Sequence, residues 1–92
     1  MVEKKLVLDL ESSDLTMDFS ELLTITYNSE KDNYDIESRV EFSEPMVWKG
    51  YSVENVRKIC KQRYSPVCIH FKSYEEYNEQ VETFIRSCSK SI

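Results

Sequence analysis

The sequence predicts an α+β fold, an antiparallel β-sheet with two C-terminal helices packed on one face. Apolar residues alternate with polar ones along residues 4–10 and again through 23–42, the period of a strand with one wet side. Helical spacing behind cap residues is clear after residue 52. The 92 residues form a single domain, 1–92, because a chain this short closes around one core.

Residues 4–10 place Leu6, Leu8 and Leu10 on one side of a first strand. Residues 14–22 fit two templates: Leu15, Phe19 and Leu22 make a helical stripe behind Ser13, and Leu15, Met17 and Phe19 make a strand. The β-rich flanks favour an extended segment there. Leu23, Ile25 and Tyr27 then alternate with Thr24 and Thr26, and the run from Asn28 to Asn33 supplies turn residues. The returning strand sets Tyr34, Ile36, Val40 and Phe42 against Asp35, Glu37, Arg39 and Glu41.

Pro45 closes the strand region, and Met46 to Tyr51 read as a bridge to a helix. Ser52 caps that helix, with Val53, Val56, Ile59 and Cys60 inward and Arg57, Lys58, Lys61 and Arg63 wet. Ser65-Pro66 breaks it, and Val67, Ile69 and Phe71 alternate as a short strand. Ser73 and Glu76 match a capping box. They open a last helix with Tyr77, Val81, Phe84, Ile85 and Cys88 on one face.

No stretch nears the roughly 18 apolar residues of a membrane span, and no apolar signal core follows Met1. Three cysteines without a close pair suit a reducing compartment. The expected location is the cytoplasm. The net charge of −5 argues against direct binding to nucleic acid or anionic lipid, and for a partner with a basic face.

Cys60, Cys68, His70 and Cys88 are the soft-ligand candidates, with Cys68 and His70 on one side of their strand. None has the CxxC or CxxH spacing that lets a turn deliver two ligands, so no metal and no cofactor is expected. One histidine and one glycine leave few means of building a nucleophile, a base and an oxyanion site, and Gly50 alone makes no phosphate loop. The chain is therefore expected not to be an enzyme.

What remains is the placement of the acids. Twelve of the seventeen fall in the first 44 residues, which carry a net −8, while residues 45–92 carry +3. Alternate residues on a strand stand about 6.6–6.8 Å apart, so Asp35, Glu37 and Glu41 form a rigid row of negative charge. Each strand of duplex DNA presents one phosphate per ~3.4 Å of its axis, a density that twelve carboxylates on a small domain can approach. Glu11, Asp14, Asp18, Glu21, Glu30, Asp32, Asp35, Glu37, Glu41 and Glu44 are the expected contacts of such a surface.

The whole chain resembles the Arn family of anti-restriction proteins of T-even coliphages. The resemblance lies in the opening Met-Val-Glu-Lys-Lys-Leu-Val-Leu-Asp-Leu, the length near 92 residues and the acidity. It implies a phage-encoded DNA mimic acting in the host cytoplasm. Its partner would be a host restriction endonuclease, the modified-cytosine-dependent McrBC. The net positive second half departs from strongly acidic mimics, so mimicry here is one-sided or completed by a homodimer. A second expectation is an adaptor that binds a protein partner through Trp48, Tyr51 and their apolar neighbours, its acids serving solubility alone.

Overall fold

The computed structural model describes residues 4–11, 21–40, 43–64 and 70–88. Four strands, β1 (Lys4–Asp9), β2 (Glu21–Asn28), β3 (Asn33–Val40) and β4 (Met46–Tyr51), precede two helices, α1 (Val53–Arg63) and α2 (Tyr74–Cys88). The strands pair antiparallel in sequence order, β1-β2-β3-β4. The expected α+β architecture, an antiparallel sheet with two C-terminal helices, is present.

The period-two pattern explains which side is covered. Leu8, Leu23, Ile25 and Ile36 are fully buried, and they meet Val56, Ile59, Val81 and Ile85 from the two helices. Burying a side chain of this size favours the fold by about 1.5–3 kcal/mol, so these residues fix both register and the face the helices cover.

The segment Met46 to Tyr51, expected as a bridge, is instead the fourth strand. Its register with β3 shifts between Tyr34, opposite Tyr51, and Ile36, opposite Trp48. Lys49 and Gly50 therefore bulge opposite Asp35, and Gly50 takes a left-handed φ of 69°. The Gly50 N–H donates to Asp35 Oδ1 at 3.0 Å, which gives the bulged backbone a partner. Trp48 and Tyr51 both pack against the core from this edge.

Ser52 caps α1, its Oγ accepting from the Asn55 N–H at 3.4 Å. Ser73 opens α2 in the same way, accepting from the Glu76 N–H at 3.2 Å, while the Glu76 carboxylate accepts from the Lys72 N–H. The helices are joined by the Arg57–Glu82 fork, at 2.8 and 3.0 Å, and by the Tyr77 hydroxyl, which donates to the Cys60 carbonyl at 2.6 Å. Residues 12–20, Phe42 of the expected returning strand and residues 67–69 of the expected short strand ending at Phe71 lie outside the described residues; the described His70 and Phe71 are not in a strand. Among the described residues no helix is long and apolar enough to cross a membrane.

Candidate interaction surface

Among the described residues no helix covers the second face of the sheet, whose composition follows from the cross-strand register. One row runs Val7, Thr24, Glu37, Val47; beside it stand Lys5, Thr26 and Asp35; on the other side, Asp9, Leu22 and Arg39. Asp35 and Glu37 do share this wet side. They share it with Lys5, Arg39 and Lys49, however, so the expected acidic row is interleaved with cations. Glu37 pairs with Arg39 at 3.0 Å. A shallow depression of about 300 Å³ lies between Lys5, Thr24, Asp35, Glu37 and Lys49.

The remaining acids separate into three groups. Glu30 and Asp32 project from the β2–β3 turn, where the Asn28 side chain accepts from the Glu30 and Lys31 N–H groups at 3.1 and 3.3 Å. Asp32 has a left-handed φ of 52° and accepts from the Tyr27 hydroxyl at 2.7 Å. That hydrogen bond to a carboxylate is the main reason the Tyr27 phenol titrates above its ordinary range. Glu11 sits past the end of β1, beside Asp9 and His70. Glu44 is exposed just before β4.

Glu21 corrects the expectation. It is 1% exposed, inside the protein rather than on its surface. The Ser38 hydroxyl and the Arg63 Nε both donate to its Oε2, the latter at 2.8 Å. The signal was in the sequence: Glu21 has the same strand parity as Leu23 and Ile25, the core side. Asp14, Asp18 and Glu41 lie outside the described residues.

Other candidates also fall into place. Cys60 and Cys88 are buried free thiols; burial pushes Cys60 up to about 12 and raises Cys88 as well, which keeps both protonated and unreactive near neutrality. Neither meets His70, which is exposed among carboxylates; Cys68 lies outside the described residues. Trp48 and Tyr51, expected as adaptor anchors, are partly buried and pack against the core. Among the described residues, the exposed large apolar side chains are Val7, Leu22, Met46 and Val47, between 41% and 54% accessible.

The class that the described residues define is a small α+β protein, a four-stranded antiparallel sheet with two helices on one face. No known protein family, characterised protein or solved structure matches the chain.

Proposed function

We propose that this protein is a non-catalytic anti-restriction inhibitor of phage origin whose acidic surface occupies the DNA-binding site of a host restriction enzyme of the McrBC type. The observation that carries the reading is the fixing of carboxylates on a rigid scaffold. Asp9, Asp32, Asp35 and Glu37 each hold a hydrogen bond or ion pair on or beside a strand. Charges already ordered lose little entropy on binding, as a stand-in for a phosphate backbone requires. Glu11, Glu30 and Glu44 add exposed negative charge around them. The likeness to the Arn family supports the same partner. The reading puts the protein in the host cytoplasm, without direct nucleic-acid binding. It also includes a homodimer, in which Lys58 and Lys61 on the outside of α1 face a second copy's acids.

The test is inhibition and binding of such an endonuclease by the parent and by a Glu11→Gln, Glu30→Gln, Asp32→Asn, Glu44→Gln variant, over a range of salt. The variant should bind at least tenfold more weakly with a flatter salt dependence, and duplex DNA should compete with the parent. Equal inhibition by the variant sinks the reading.

A second reading, an adaptor, is favoured by the exposed Val7, Leu22 and Val47 on the second sheet face. Its affinity would be nearly indifferent to salt and reduced by Val7→Thr with Val47→Thr, changes that retain strand preference.

A further inference from the structure

Where β1 ends, the chain leaves the sheet between two carboxylates. Leu10 is buried, and its N–H donates to the Glu21 carbonyl at 2.8 Å. Asp9 and Glu11 thus flank an anchored residue. Facing them is His70, whose neighbour Phe71 is buried edge-on against Tyr77, ring centroids 5.1 Å apart. His70 Nε2 lies 3.1 Å from Glu11 Oε1 and 3.4 Å from Asp9 Oδ2. Asp9 Oδ1 accepts from the Glu11 N–H at 3.1 Å, leaving Oδ2 for the imidazole. One ligand atom from each of the three residues lies within 4.8 Å of the other two.

We propose that Asp9, Glu11 and His70 bind one divalent transition-metal ion, with Zn2+ the best fit. The donor set selects the class: an imidazole with two carboxylates suits Zn2+ and its neighbours, while Ca2+ and Mg2+ take oxygen ligands. The spacing agrees. Bonds of about 2.0–2.2 Å at tetrahedral angles put ligand atoms roughly 3.3–3.6 Å apart, close to both His70 separations. Charge balance points the same way, since a dication neutralises both carboxylates. The exposed position leaves the remaining coordination to water.

The ion would join residues 59 apart in sequence, tying the end of β1 to the segment that precedes α2. Because the ligating nitrogen must be free of its proton, binding weakens as the pH is lowered.

The experiment titrates metal-free protein with ZnCl2 by calorimetry and with CoCl2 by absorption. One ion should bind saturably, the cobalt spectrum should lack a thiolate charge-transfer band, and the Tm should rise by several degrees at about a hundredfold excess over Kd. His70→Ala, and separately Asp9→Asn with Glu11→Gln, should weaken binding roughly tenfold or more, with metal-free Tm showing that each variant folds. Cys68→Ser should leave binding unchanged. Absence of saturable uptake, a thiolate band, or parental affinity in both ligand variants would overturn the site.

Discussion

Arg63, in the last turn of α1, donates through Nε to the buried carboxylate of Glu21 at 2.8 Å, and so ties the helix end to the first residue of β2. Glu21 is 1% exposed and Arg63 28%, so the carboxylate bears most of the desolvation. Removing the guanidinium leaves the buried carboxylate with only Ser38 as a side-chain partner among the described residues. Loss of one member of a fully buried pair costs about 3–5 kcal/mol; with Arg63 partly wet, about 2–3 kcal/mol is expected for Arg63→Ala. Urea denaturation at neutral pH measures it. A loss below about 0.5 kcal/mol would mean that the pair is not stabilising.

The bulge in β4 makes a second prediction. A Cβ at Gly50 would find Asn33 Nδ2 no nearer than 3.7 Å, so space is not the obstacle. The left-handed backbone is. Gly50→Ala should cost about 1–2 kcal/mol, and Gly50→Asn less, because asparagine tolerates that conformation. Equal losses in the two variants, by thermal denaturation, would point to a different cause.

Alkaline pH should unfold the protein through groups held neutral by burial. Burial pushes the Tyr34 phenol up to about 12 and the Cys60 thiol up to about 12, from ordinary values of 10.0 and 9.0. Raised folded-state values mean that the unfolded chain loses these protons first. Their contribution is therefore complete below about pH 9 and falls as pH rises from there toward 12. Each group can supply a slope of at most about 1.4 kcal/mol per pH unit. In a Tm series from pH 8 to 11.5, Tyr34→Phe should lose less stability than the parent between pH 10 and 11.5.

Trp48 and Val47 are adjacent in β4 and point to opposite sides of the sheet, one against the core and one into solvent. Trp48→Ala should destabilise the fold by about 2–3 kcal/mol, below the full-burial range because the ring is only partly buried. Val47→Thr should change stability by less than about 0.5 kcal/mol. Guanidinium denaturation of both variants checks the assignment, and a Val47 effect as large as that of Trp48 would reverse the two faces.

The four exposed acids of the inhibition test should be nearly silent in stability. Each lies on the surface, where single substitutions move stability by less than about 0.5 kcal/mol. An unchanged Tm beside weakened partner binding identifies contact residues; a parallel fall in both identifies structural ones.

Much of the fold was legible because the sheet has one dry face. Leucines two apart in β1 and the Leu23/Ile25 and Tyr34/Ile36 pairs write that face directly into the sequence. Ser52 and Ser73 announced the helices for an equally local reason, since each caps a backbone N–H three residues on. β4 was hidden by its own bulge: Trp48 and Tyr51 face the core three residues apart, which erases the alternation, and Pro45 and Gly50 read as loop. The surface was harder. The strand parity of Glu21 marks it as inward, but the partners that make its burial tolerable, Ser38 and Arg63, are 17 and 42 residues away. The meeting of Asp9 and Glu11 with His70 likewise depends on a distant segment returning to the end of β1.

The simple strand order has a kinetic consequence. Each strand pairs with its neighbour in sequence, so the sheet can zip up hairpin by hairpin as the chain emerges from the ribosome, with little loop-closure entropy to overcome. The helices come last and close over a surface already laid down. Short-range topology of this kind favours rapid refolding, on the order of milliseconds.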